Sequence, residues 1–449
     1  MAEDSPGSKF KLFALGLLFA AGYVYITAGI ERYESVQLIS IYSILFGLFG
    51  WCWLARDDLS LKQWCQLAVF VRLSFLLVAP NLSDDFYRFI WDGRLLAAGL
   101  DPFAEIPSFY LQAENAVAGM DQSLFNLLNS PEYFTVYPPV NQFVFWIAAL
   151  VGGESMVVSL FVIRLFILIA ALGNIWLIPK LLIRYDLNPK LALLYLLNPL
   201  VVLETVGNLH FEGMMVFFIL LTLWFLERNK QVLSSFALAL AIGVKLIPLI
   251  FLPFLPRPLN LKKMVIYYGV CAFALALIFF PLVSPELISG MQNSLGLYFQ
   301  KFEFNGSVYL ILREQGFQEY GYNRIAHIGK DLMEWTFWAI MILAFWPLGK
   351  KPNLPTQFLF ALGVYFLLST TVHPWYIITL VGLSIFTNYR SPILWSFMIF
   401  LTYIGYSEDG FDMPTWVLFI EYGFVLVFFI YELLRELGFM RLIKSKLNA

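Results

Sequence analysis

The chain has 449 residues, 60% hydrophobic and 13% charged, with a formal net charge of −2 and a mean hydropathy of +0.74. A soluble domain carries roughly a quarter charged residues, and a soluble fold of this length has too little interior for so much Leu, Phe and Ile. The composition therefore excludes a soluble globular protein, and no basic tail suited to nucleic acid is present.

In chain order, Lys9 and Lys11 stand at the start of an apolar run, residues 10–30, with no small-residue cleavage site after it; a retained first helix is expected. Further spans are predicted at 36–55, 61–79, 155–183, 191–206, 211–226, 265–283, 332–348, 356–370, 375–386, 393–406 and 415–434. Two apolar segments are irregular: 137–151 is short and opens on Pro138-Pro139, and 232–255 is interrupted by Lys245, Pro248 and Pro253. If each crossed once, the basic connection 184–190 would lie outside. If instead 137–151 lies in the outer interface or re-enters, and 232–255 is a broken hairpin turning near Lys245, all the basic connections face one way. These are Lys180/Arg184/Lys190, Arg228/Lys230, Arg257/Lys262/Lys263, Lys350/Lys351, Arg390 and the tail with Arg435, Arg441, Lys444 and Lys446. The positive-inside rule prefers the second arrangement, with both termini cytoplasmic. The expectation is an all-α polytopic membrane protein of about 12–14 transmembrane helices, forming a single transmembrane domain over 1–449 with no soluble domain. Two outer loops are expected, about 80–153 and 284–330. Cys52, Cys65 and Cys271 fall in apolar runs and imply no disulfide framework. Arg72 and Arg164 lie within spans and are expected to pair with buried acids.

The first outer loop opens with Asn81-Leu-Ser-Asp-Asp-Phe-Tyr-Arg-Phe-Ile-Trp-Asp-Gly-Arg94. Ser83 suits a helix cap, Phe86, Phe89, Ile90 and Leu96 give an apolar side, and Arg88, Asp92 and Arg94 a polar one. An interfacial helix is expected. Asp84 and Asp85 are explained equally well by capping, with Arg88 pairing to Asp84, and by chemistry at the bilayer surface.

The Asp84-Asp85 pair, Trp91-Asp92-Gly93-Arg94, Gly99-Leu-Asp-Pro-Phe103 and Tyr137-Pro138-Pro139 together resemble the membrane glycosyltransferases of the C superfamily (GT-C). The closest likeness is to the polyprenyl- or dolichyl-phosphate-mannose-dependent mannosyltransferases. Asn198-Pro199, Gly207-Asn-Leu-His-Phe-Glu212, Val244-Lys-Leu-Ile-Pro248, Phe302-Glu-Phe-Asn-Gly-Ser307 and His373-Pro-Trp-Tyr376 fit the bacterial branch. The resemblance implies a GT-C-like bundle with its active site at the outer membrane surface. It also implies a polyprenyl-phosphate sugar donor, most simply mannose, transfer with inversion, and a base among the loop-one carboxylates.

Such a donor leaves as a phosphate anion, so the chemistry needs cationic stabilisation of phosphate and a carboxylate to take the acceptor's proton. Asp84 or Asp85 is expected as base, with Asp84, nearer the bilayer, favoured. Lys245 at a broken helix and Arg313 are candidate phosphate contacts, each with a structural alternative: an ion pair of Lys245 with Glu204 or Glu212, and a solvated loop position for Arg313. His210, beside Glu212, and His373 share the expected outer face; Tyr137 and Asn305 complete the candidate substrate-binding set. No cofactor is expected. A divalent metal on the His/Asp set has no ligand spacing in its favour. The expected partners are the lipid-linked donor, a glycan, lipid or protein acceptor, and the bilayer of the plasma (inner) membrane. The competing reading is a transporter or flippase of a lipid-linked or small solute, but such folds carry matched halves with charges at midplane, and the halves here do not match.

Overall fold

A computed structural model describes residues 6–256, 259–285, 287, 301–345, 353–408 and 410–438. Arg257, Lys350, Lys351, Arg441, Lys444 and Lys446, the end of the expected 332–348 span and part of the second outer loop lie outside the described residues. The chain is an all-α polytopic membrane protein. Its only strands among the described residues are Tyr406–Ser407 and Gly410–Phe411, a minimal antiparallel hairpin.

The longer helices are α1 (Pro6–Gly29), α2 (Ser35–Leu54), α3 (Leu61–Leu73), α4 (Asp85–Ala97), α5 (Pro139–Gly152) and α6 (Met156–Arg184). After them come α7 (Pro189–Leu196), α8 (Pro199–Gly207), α9 (Glu212–Glu227), α10 (Gln231–Val244) and α11 (Leu261–Phe279). The last group is α12 (Ser307–Tyr320), α13 (Ile325–Phe345), α14 (Leu354–Leu367), α15 (Pro374–Ser384), α16 (Ser391–Gly405) and α17 (Thr415–Glu436). Local sequence sets several starts. Ser60 and Gln63 form a reciprocal capping box on α3, Ser155 accepts from Val158 N on α6, and Asn260 accepts from Lys263 N on α11.

Among the described residues five helices are long and apolar enough to cross a membrane alone: α1, α2, α6, the segment Leu261–Leu282 and α17. The count becomes six if α7 and α8 are one bent span. Three expected spans are instead helices of 10–17 residues, α14, α15 and α16, and the two irregular segments hold the similarly short α5 and α10. A 14-residue helix rises about 21 Å, short of a bilayer core of about 30 Å. The apolar runs are real; Pro, Gly and Asn divide them.

The 191–206 run shows the division best. Asn198 cannot stay helical before Pro199, takes an extended conformation and caps the next helix through Leu200 N and Val201 N, so α7 and α8 meet at 61°. Each half then ends on carbonyls that need partners. Arg72 donates to Leu196 O at 2.8 Å, and Arg164 donates to Val206 O at 2.9 Å and Gly207 O at 3.3 Å. The two buried arginines therefore satisfy helix C-termini rather than the buried acids expected for them. The 232–255 segment breaks where expected: α10 ends at Val244, Lys245 is extended, and a 3₁₀ segment, Ile247–Phe254, follows.

α6 packs against α5 and α9, α9 against α10, and α10 against α11. The N-terminal helices close onto the C-terminal ones, where the Tyr42 ring stacks on Phe400 at 3.6 Å and its hydroxyl donates to Ser396 O at 2.6 Å. All three cysteines are free.

Candidate active site

α4 exists as expected, but its polar side does not face water. Asp92 is fully buried, and Arg88 and Arg94 nearly so, beneath the 98–138 connection. Arg88 Nε donates to Asp92 Oδ1 at 2.8 Å, and Gln142 Nε2 of α5 donates to Asp92 Oδ2 at 2.9 Å, an oxygen that also accepts from the Thr135 hydroxyl. Arg88 thus pairs with Asp92 and not with Asp84. At Gly93 a Cβ would lie 2.3 Å from the Phe145 carbonyl oxygen, so only glycine permits α4 and α5 to approach this closely. Arg94 donates to Gly119 O and Glu154 O. Asp101 accepts from Ser284 at 2.7 Å and joins the 98–138 connection to the segment after α11. Trp91 to Arg94 and Asp101 therefore build the scaffold. Removing Asp92 leaves a buried guanidinium unpaired, and Asp92→Ala is expected to destabilise the protein by about 3–5 kcal/mol. Thermal unfolding in detergent checks this; a wild-type melting temperature would contradict it.

The N-terminus of α4 opens on a cavity of about 690 Å³. The turn 207–212, the 244–250 break, residues 302–304, 369–376 and the 406–411 hairpin contribute to the same cavity. Of the residues singled out from sequence, Asp84, Asp85, Tyr137, His210, Glu212, Lys245 and His373 line it. Arg313 and Asn305 do not. Arg313 stands behind the wall and donates to Glu303, which does line the cavity, at 3.0 Å. Asn305 is buried, with positive φ (+52°), and donates to Glu421 Oε1 of α17 at 3.1 Å.

The adjacent aspartates diverge, as consecutive residues at a helix start must. Asp84 accepts from Arg32 NH1 at 2.6 Å. Asp85 accepts from Asn129 at 2.7 Å, is hydrogen-bonded by Tyr137, and lies 3.9 Å from His210 Nδ1. Ser83 Oγ accepts from the Asp85 N–H at 3.3 Å, but the N-cap position falls on Asp84, whose side chain makes no capping bond, so Ser83 is not the cap expected. Burial pushes the Asp85 carboxyl up to about 6, opposed by its hydrogen bonds and by the charge of Lys245.

Lys245 Nζ meets Glu212 Oε1 at 2.5 Å and sits 3.8 Å above the Tyr376 ring. Leu246, Ile247, Leu249 and Ile250 extend the cavity wall from it. The rings of His210, Trp375 and His373 form one stack, with centroids 3.7 Å and 4.5 Å apart. Trp375 is half-buried and itself lines the cavity. Burial, with Lys245 alongside, holds His210 well below its usual range and brings His373 down to about 3, so both imidazoles are neutral. Leu209, with φ of +64°, stores backbone strain in the turn that presents His210. Among the described residues no group of three or more His, Cys, Asp or Glu side chains is arranged to hold a metal.

Sequence reasoning passed over Arg32, Asn129 and Glu303. The first sits in the short α1–α2 connection, which no motif in the sequence marks.

A family model described as alpha-(1->6)-mannopyranosyltransferase, N-terminal domain, matches residues 20–257. No curated protein matches the chain.

Proposed function

The chain belongs to the alpha-(1->6)-mannopyranosyltransferase family and is a membrane glycosyltransferase that transfers mannose from a sugar donor to a glycan acceptor; from that premise we propose that the donor is a polyprenyl-phosphate mannose, that transfer proceeds by a single inverting displacement, and that Asp85 is the base. The observation that carries this reading is the meeting, in one cavity, of the Asp85 carboxylate and the Lys245 ammonium, with an apolar wall running away from the lysine.

Lys245 donates to Glu212 and keeps two further N–H bonds for a phosphate. The wall from Leu246 to Ile250 suits a polyprenyl chain. Asp85 takes the proton of the acceptor hydroxyl as its oxygen attacks the sugar carbon. The bond from that carbon to the phosphate oxygen breaks, and the electron pair leaves on the phosphate, which needs no general acid. Inversion to an α-linked product requires a β-linked donor. Asp84 is favoured by position alone but is tied to Arg32, and Glu212 is tied to Lys245. Asp85 is the carboxylate of the three with no cation at hydrogen-bond distance. Incubation of the purified protein with a panel of polyprenyl-phosphate sugars, following release of polyprenyl phosphate, tests the donor assignment; no release in the presence of acceptor would refute it.

We propose further that the protein is one transmembrane domain of the plasma (inner) membrane with cytoplasmic termini and the cavity on the outer face. Ion pairs Lys190–Asp57 and Lys11–Asp58, and the contact of Arg184 with Glu227, gather the basic connections away from the cavity-lining turns. In a Cys-free background, a single cysteine at Asp186 is expected to resist an impermeant outer reagent. Labelling there from outside would sink the topology.

A further inference from the structure

Glu204 is fully buried at the floor of the turn that carries His210, and the reaction described above does not use it. Its Oε1 accepts from the Tyr403 hydroxyl at 3.2 Å and its Oε2 from Asn208 at 3.1 Å. The same Oε2 lies 3.4 Å from His210 Nε2, a buried ring nitrogen that makes no hydrogen bond among the described residues. The other ring nitrogen, Nδ1, faces Asp85 at 3.9 Å. The imidazole is held in this plane by the Trp375 stack, and its backbone N–H donates to Glu204 O at 3.1 Å. The other charged or titratable groups near this series are Lys245, His373 and Glu212, with Tyr42, Tyr406 and Arg32 around Glu204 and Tyr403.

We propose that Glu204 is a positioning residue: by accepting Nε2–H of His210 it fixes the tautomer whose Nδ1 lone pair faces Asp85, so that the protonated carboxyl formed during transfer has a hydrogen-bond acceptor. The inference rests on Asp85 being the base. With the opposite tautomer, Nδ1–H would point at the carboxylate, stabilise its ionised form and weaken it as a base. The transfer step itself is unchanged: the acceptor O–H breaks, its proton ends on Asp85, and the phosphate leaves with the electron pair. Asp85 and Glu204 lie near opposite ring nitrogens of His210, at 3.9 and 3.4 Å, which lets the ring make the proton's destination more favourable. The strained Leu209 conformation, which brings His210 over Glu204, fits a turn built for this placement.

The test compares pH profiles of kcat/KM for wild type, Glu204→Leu, Glu204→Gln and His210→Phe. Glu204→Leu frees the tautomer and is expected to lower kcat by about tenfold or more, leave the donor KM unchanged and move the acid limb to lower pH. His210→Phe keeps a ring against Trp375 but has no Nδ1, and is expected to shift the limb in the same direction. Glu204→Gln retains an oxygen for Asn208 and His210, since the Tyr403 hydroxyl can reverse its role, and restores the limb toward wild type. A limb that stays at its wild-type position in both Glu204→Leu and His210→Phe would overturn the proposal, whatever the turnover. If Glu204→Leu fails to fold, His210→Phe decides alone. Should Asp85→Asn keep its turnover, the base assignment fails; should Asp85→Asn be inactive while the limb stays fixed, only the role of Glu204 fails.

Discussion

Asp85→Asn is expected to lower turnover by about 10²–10⁴-fold while donor binding persists, the usual loss for a missing general base. Asparagine keeps the shape and can still hydrogen-bond Asn129 and Tyr137, so the loss isolates basicity from structure. Asp84→Asn is expected to do far less: it breaks a pair with Arg32 in which both side chains are about one-third exposed, and such pairs contribute about 1 kcal/mol or less. The asymmetry between neighbours is the diagnostic. Equal losses from both, or none from either, would move the base elsewhere. The pH dependence carries the same signature. Asp85 must be ionised to accept a proton, and burial has raised it to about 6, so kcat/KM should fall as pH drops through about 6. In Asp85→Asn the residual rate should lose that limb.

Lys245→Ala is expected to raise the apparent donor constant by about 10- to 100-fold, the range of one or two charge-assisted hydrogen bonds to phosphate, with a smaller effect on turnover of bound donor. A second consequence separates this from a general loss of structure. The Lys245 charge lowers Asp85 and the Glu212 charge raises it. Removing the cation and leaving Glu212 unpaired act in the same direction, so the acid limb should move to higher pH. Donor dependence and an acid limb both unchanged in a folded Lys245→Ala protein would remove the lysine from the site. Steady-state kinetics across pH 5–8 (about 5–8, the window bracketing the raised carboxyl) read both effects.

How much of this was legible in the residues depends on the kind of feature. The membrane class follows from hydropathy, and the convergence of loop one, the 207–212 turn, the Lys245 break and the 373–376 turn on one cavity follows from charge bias in the connections. The number of full spans did not follow, because an apolar run does not show where a proline divides it in space: Asn198-Pro199 turns one run into two helices at 61°. Side-chain partnerships were the least legible. Arg88 could meet Asp84 or Asp92 at the same i,i+4 spacing, and burial beneath loop one selects Asp92. Lys245 could meet Glu204 or Glu212, and the fold gives it Glu212. Arg72 and Arg164 found carbonyls, because a broken helix supplies acceptors that no acidic residue announces in sequence. The choice between Asp84 and Asp85 turned on Arg32, a residue about fifty positions away in the chain.

The central claim, mannose transfer from a lipid phosphate with Asp85 as base, is tested most directly by one assay. Purified wild-type and Asp85→Asn proteins are given polyprenyl-phosphate mannose, or a nucleotide-linked mannose, with a mannoside acceptor, and both released carrier and new mannoside are quantified. The expected result is one polyprenyl phosphate released per mannoside formed by wild type, none from the nucleotide sugar, and donor bound but not consumed by Asp85→Asn. Transfer from the nucleotide sugar, or undiminished turnover of the lipid donor by Asp85→Asn, would contradict it.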